Sequence, residues 1–597
     1  MSATNKVRVS FWRVFWPSLI AGCVLILLFF ILFTSVIGSL MKSKPTYEVK
    51  NKTILHMKLD GAIGEISQNE VNFTGLGVDS KTGLADILYG LEKAADDDHV
   101  KGIYIELGSP SCGLATATAI RDAIHQFEEK SGKFVIAYHK GESVSLKQYY
   151  IASAATKNYA FPTTNFEFLG LGAELMFYKG LFDKLGLEMQ VVRGKDNAFK
   201  SAVEPYFLSE MSDSSRLQIS VYMNNLWTAI KKNISEDRGI SLDELDNIAN
   251  NALVRRMDQA LEHKLIDSVL YRDEVLQILA DKVGAKDFKD LNLSNFEKYA
   301  QAKFENQQEL AHAKTANVAV IIAEGEITVD GNQMASNRLT KLIREARKDK
   351  NIKTIVLRIN SPGGSALASE EIWREVKLAN DEKKVVVSMG DVAASGGYYI
   401  STPSSKVFAE KTTITGSIGV FGVIPFTGKM LEEKLGITFD RVSTNPHAVL
   451  SLNKKFTPEE FEMIQEEVNS TYSLFLQRVA DGRKTTPDQI NKVARGRVWT
   501  GVDALRIGLV DTLGSLQDAI DFAVKQAGIE DPSVRYYPKV KKDIWMEMVD
   551  IINSDDEDDV KAQKTIVPQE ISNLYYQVKR LENLSGVQAR IPYEINW

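Results

Sequence analysis

Ile352-Lys353-Thr354-Ile355-Val356-Leu357-Arg358-Ile359-Asn360-Ser361-Pro362-Gly363-Gly364-Ser365 is an aliphatic, β-branched run that breaks into a glycine-rich loop. Such a run reads as a buried strand, and the Pro-Gly-Gly that follows as the turn leaving its carboxyl end. The run has a counterpart earlier in the chain. Val100-Lys101-Gly102-Ile103-Tyr104-Ile105-Glu106-Leu107-Gly108-Ser109-Pro110 aligns with residues 352–362 at a constant offset of 252. Three further matches keep the same order. Tyr149-Tyr150-Ile151 answers Tyr398-Tyr399-Ile400 at an offset of 249, and Lys184-Leu185-Gly186 answers Lys434-Leu435-Gly436 at 250. Residues 54–59 before Gly61 correspond to 318–323 before Gly325. Small shifts between offsets are what loop insertions produce, so the chain carries one domain twice.

Within each copy the pattern runs strand, amphipathic helix, strand, helix, strand. Leu339, Leu342, Ile343 and Ala346 give the helical spacing in the second copy, and Ile87, Leu91 and Ala94 in the first. Strands alternating with helices predict an α/β fold with a mostly parallel sheet, which places ligand sites in loops at the carboxyl ends of its strands. The expected organisation is an N-terminal segment 1–46, a first copy 47–270, a helical linker 271–316 with a break at 290–295, a second copy 317–530 and a C-terminal extension 531–597. In that extension Ser554-Asp555-Asp556-Glu557-Asp558-Asp559 reads as a solvated charge run.

The 597 residues are 44% hydrophobic and 25% charged, a composition of globular protein. Their 72 basic and 78 acidic side chains are interspersed, which excludes the basic stripe of a nucleic-acid binder. Of the two cysteines, Cys23 lies in an apolar run, so an internal disulfide with Cys112 is not expected. That run is the N-terminal signal. Residues 14–41 contain no ionisable side chain, long enough for a bilayer-spanning helix of about 20 residues. Lys6, Arg8 and Arg13 precede it, with Trp12 and Trp16 at the interface, so the N-terminus is expected in the cytoplasm and the bulk of the chain outside. The span exceeds the apolar region of a cleaved signal peptide, and an uncleaved anchor contacting lipid is the expectation.

Two loops of the second copy carry chemistry. In Asn360-Ser361-Pro362-Gly363-Gly364-Ser365 the paired glycines free backbone N–H groups, which can serve an oxyanion hole or simply make a turn. In Asp391-Val392-Ala393-Ala394-Ser395-Gly396-Gly397-Tyr398-Tyr399 a serine stands at a strand-to-helix junction among small neighbours. It follows the logic of a nucleophile elbow without the Gly-x-Ser-x-Gly pattern, and Gly396 N–H is placed as an oxyanion donor. A helix N-cap is the alternative that spacing leaves open.

Taken in order, Ser-Pro-Gly-Gly-Ser at 361–365, Ala-Ala-Ser-Gly-Gly-Tyr-Tyr at 393–399 and Thr-Gly-Ser-Ile-Gly-Val at 415–420 resemble the signal peptide peptidase A family in its long, tandem-domain form. The resemblance runs from the anchor to about residue 530 and implies the fold shared by the Clp protease subunit and crotonases. It implies a Ser-Lys dyad serine protease with no cofactor or metal, in which Ser395 is the nucleophile, Gly396, Gly363 and Gly364 supply the oxyanion hole, and Ser417 orients the base. Phe199-Lys200-Ser201-Ala202-Val203-Glu204-Pro205-Tyr206 resembles the family's lysine segment, which makes Lys200 the general base; Lys195, five residues earlier, is the rival. The family's substrates are cleaved signal peptides, its location the outer face of the bacterial inner membrane, and its assembly commonly a homotetramer.

The repeat bears on this independently. The first-copy counterpart of Ser395 is Leu146, and the second-copy counterpart of Lys200 is Leu450. Each copy keeps one partner, so a single site is expected to form where the copies meet, within a chain or between chains. A lysine of ordinary pKa near 10.4 is protonated at pH 7, and burial among apolar neighbours such as Ala198, Phe199 and Ala202 is expected to release the neutral amine. No His-Glu-x-x-His string occurs, and a Ser-His-Asp triad would need His447 or His312 to reach Ser395. The competing functions are a crotonase-like acyl-CoA enzyme, which would need neither Ser395 nor an anchor, and a non-enzymatic membrane scaffold.

Overall fold

The computed structural model describes residues 49–72, 77–313, 316–331, 334–539 and 587–590. The expected anchor at 14–41 and the charge run at 554–559 lie outside them. Among the described residues no helix is long and apolar enough to cross a membrane.

Each copy forms an eight-stranded, mostly parallel sheet. In the second copy the central strands Val318–Glu324, Thr354–Ser361 and Val385–Ala394 lie side by side. Val318 pairs with Thr354 and the register holds through Glu324 and Asn360. These strands are buried on both faces, which is why they read as continuous apolar runs. Helices Ser336–Lys348 and Ala366–Glu382 connect them, and Leu339, Ile343 and Ala346 point into the core as their spacing requires. The first copy repeats the plan with Thr53–Gly64, Val100–Ser111 and Phe134–His139; its helix Leu84–Asp96 buries Ile87, Leu91 and Ala94.

Both sheets run past the limits expected from sequence. Leu293–Asn295, read as a break in a linker, pairs in parallel with Ile54, Leu55 and His56 of the first sheet. In the second copy Val534–Tyr537 does the same beside Val318–Ile321, in what was read as the extension. Helices Arg272–Val283 and Leu516–Ala527 precede these strands, so both are part of the repeated unit. Helix Phe296–Ala313 leads from the first copy to the second, with Phe304 edge-on to Tyr89 of helix Leu84–Asp96.

Of the contacts that tie the copies together around the site, three set their alignment. Arg358 donates through Nε to Glu65 Oε2 at 2.9 Å, with both side chains no more than 2% exposed. Asp391 accepts from the Gly113 and Thr116 amides at 3.2 and 2.8 Å, capping helix Leu114–Ser131, whose own N-cap glycine has no side chain to do so. The third is an antiparallel ladder between Glu188–Arg193 of the first copy and Phe421–Phe426 of the second. This ladder belongs to a four-stranded sheet in which Val587–Arg590 lies between Phe421–Phe426 and Gly363–Ser365.

Candidate active site

Strand Val385–Ala394 ends at Ser395 and helix Gly396–Ser401 begins with the next residue. So tight a junction forces Ser395 to φ 56° and ψ −116°, a conformation costing a non-glycine residue about 1–3 kcal/mol. Its amide donates to Gly416 O and its carbonyl accepts from the Tyr399 amide, both at 2.8 Å. Its side chain makes no capping bond, which removes the N-cap alternative and leaves Oγ projecting from the turn. The residue that meets it comes from the other copy: Lys200 Nζ lies 2.8 Å from Ser395 Oγ.

Lys200 is carried there by strand Glu188–Arg193 and held by backbone bonds to the second copy. Gly194 N–H donates to Val420 O and Phe199 N–H to Arg495 O, each at 3.0 Å. Gln218 donates from Nε2 to Phe199 O at 3.0 Å and to Ser201 Oγ at 2.8 Å. Both side chains of this pair, Lys200 and Ser395, are 0% exposed. Burial holds the Lys200 amine well below its ordinary pKa, because the charged form has lost its water. The neighbours singled out in the sequence contribute less than expected: Ala198, Phe199 and Ala202 are only half-buried. The enclosure is made by the second copy, where Gly496 approaches so closely that a Cβ on it would stand 2.5 Å from the Lys200 amide nitrogen. Gly496, Gln218 and Asp391 escaped the sequence reading, since nothing in their local pattern marks them.

The surroundings of Nζ suit a neutral amine. Besides Ser395 Oγ it meets Ser417 Oγ and Ser417 O, both at 3.0 Å. Two N–H groups directed at Ser417 leave the lone pair for the Ser395 hydroxyl proton. A base so placed can take that proton while Oγ attacks a carbonyl carbon. Rival groups are elsewhere: Lys195 is exposed, and the half-exposed His447 ring lies 3.7 Å from Glu460.

On the other side of Ser395 is the glycine loop. A Cβ on Gly396 would stand 3.2 Å from Gly363 Cα, which places the two glycines against one another. The Gly363 N–H donates to Ser361 Oγ at 3.2 Å. Gly363 O accepts from Ile327 N–H and Ser365 N–H donates to Ile327 O, each at 2.9 Å. Backbone groups alternate along a strand, so Gly364 faces the opposite edge, where Ala589 is its partner.

Comparison with known proteins fits this architecture. Residues 128–286 and 377–530 match the model of peptidase family S49, one stretch in each copy, and residues 308–414 match that of Clp protease. A serine protease named SPPA, chloroplastic, of Arabidopsis thaliana is 33% identical over 81% of this chain and 71% of its own. Protease 4 of Salmonella typhi is 36% identical over 76% of this chain and 74% of its own. Protease 4 of Haemophilus influenzae is 30% identical over 85% of this chain and 86% of its own. The acyl-CoA and scaffold alternatives give way to these matches. With a duplicated S49 domain on a Clp protease-like α/β fold, the chain belongs to peptidase family S49 and is a serine protease.

Proposed function

We propose that the chain is a membrane-anchored endopeptidase in which Ser395 is the nucleophile and Lys200 the general base, degrading cleaved signal peptides and other hydrophobic peptides. The observation that carries it is the 2.8 Å contact between Lys200 Nζ and Ser395 Oγ in a site closed to solvent. Neutral Lys200 takes the hydroxyl proton as Oγ bonds to the substrate carbonyl carbon. The charge that develops on the carbonyl oxygen is held by backbone N–H groups of Gly396 and Gly363, the latter turning to it from Ser361 Oγ. The ammonium then gives its proton to the departing amine, leaving an ester on Ser395, which water hydrolyses with Lys200 again as base. Ser417 orients the amine through its hydroxyl and carbonyl throughout.

The anchor at 14–41 puts the N-terminus in the cytoplasm and the catalytic region at the outer face of the inner membrane, where spent signal peptides lie. Apolar side chains beside the site suit such substrates: Ile327 approaches Gly396, and Leu367, just after the glycine loop, is 62% exposed. Assembly into a homotetramer follows the same duplicated logic. The ladder of Glu188–Arg193 with Phe421–Phe426 maps, at the 250 offset, onto residues 438–443 and 171–176. Both segments are outside regular structure, with Val442 95% and Met176 57% exposed. Pairing one chain's 171–176 with the next chain's 438–443 would join copies head to tail, a heterologous contact that closes into a ring.

Ser395→Ala tests the assignment. It is expected to lower kcat/KM for a peptide by a factor on the order of 10⁴ or more, and to abolish fluorophosphonate labelling, with Tm unchanged. Peptide turnover persisting in that variant would overturn it.

A further inference from the structure

The edge of the glycine loop beside Ser395 is covered by four residues of the same chain, Val587–Arg590. Ser365, Gly364 and Gly363 pair antiparallel with Gln588, Ala589 and Arg590. On its other side Val587–Arg590 pairs antiparallel with the second-copy ladder, Gln588 opposite Phe421 and Val587 opposite Gly422. The far edge of the glycine loop is already bonded to Ile327, so the edge that Val587–Arg590 covers is the one open to an incoming peptide. A segment that adds itself to a sheet edge binds through its backbone, whatever its side chains, which is how an extended peptide is held. Arg590 stands opposite Gly363, the glycine packed against Gly396, so the strand runs toward the nucleophile.

We infer that Val587–Arg590 is a tethered competitor of peptide substrates, occupying the loop edge of the same chain and lowering its apparent affinity for extended peptides. The inference rests on Ser395 being the nucleophile beside which that edge lies. A strand covalently linked to its own site competes at an effective concentration that free peptide must exceed.

The test is Ala589→Pro in the full chain, since a proline here cannot be accommodated between two paired strands. With an extended fluorogenic peptide, KM is expected to fall at least ~3-fold and kcat to stay unchanged. A labelled synthetic peptide of residues 585–592 is expected to bind the variant at least ~3-fold more tightly than wild type, by anisotropy. Equal KM and equal peptide binding in the two chains would overturn the inference. Absence of turnover in both chains, with the difference in peptide binding retained, would count against Ser395 as nucleophile while supporting the competing strand.

Discussion

Val192 and Val442 occupy the same place in the two copies at the 250 offset, yet the first is 1% exposed and the second 95%. Val192 is in a strand paired to the other copy; Val442 is in an unpaired stretch. Lys200 and Leu450 repeat the contrast, at 0% and 54% exposed. At the serine position the difference is of backbone. Leu146 opens a helix capped by Ser145 in ordinary extended geometry, whereas Ser395 is turned to a positive φ. Where the second copy has Gly396 the first has Lys147, which donates to Cys112 O at 2.7 Å in the counterpart of the glycine loop. The same frame therefore serves two ends. Whether a segment is buried, and a lysine amine held neutral, depends on which copy it is pressed against.

Giving the first copy the second copy's chemistry should have the largest effect. Lys200→Met is expected to lower kcat by a factor on the order of 10⁴ or more while raising Tm at pH 7. The sign of the stability change follows from the depressed amine. Between its folded value and about 10.4 the unfolded chain binds a proton that the folded chain refuses, so wild-type stability rises with pH across that window. The gain in Tm from methionine should therefore shrink as pH approaches 10, and wild-type kcat should rise with pH through the depressed value. A pH-independent gain would mean that the lysine is not buried as a base.

Arg358→Ala probes what presses the copies together. It leaves Glu65 buried without its partner and is expected to cost about 3–5 kcal/mol in denaturant titration. A cost near zero would show that the copies hold their alignment without this pair. The smallest change tests the opening contrast directly. Val192→Ala should cost about 2 kcal/mol and Val442→Ala no more than about 0.5 kcal/mol in the monomeric chain. Equal costs would break the comparison.

The duplication was legible because strands and helices impose periods that survive divergence, and Leu146 and Leu450 pointed to a single shared site before any geometry. The edges of the copies were not legible. Leu293–Asn295 is three residues long, too short for a period to register, and its role depends on pairing with residues near 54. The electrostatics of Lys200 were readable in kind but not in source: the expected neighbours in sequence are half-buried, while Ser417 and Gly496, far along the chain, make the enclosure. Nor does any local pattern announce the backbone of Ser395, whose φ is imposed by Gly416 behind it and the helix ahead. Val587–Arg590 follows a polar stretch and is a strand only because two other strands receive it.

The two reacting side chains are 195 residues apart in the chain. At a synthesis rate of roughly 5–20 residues per second, about 10–40 s pass between the making of the lysine and of the serine. Throughout that interval the growing chain holds an ordinary lysine that has not met its proposed partner. Gly496 is made later still, so the pocket that neutralises the lysine closes only after the nucleophile has been added. On the proposed dyad, order of synthesis thus gives the chain a latency: it can cut only after Gly496 has been made and has closed on Lys200.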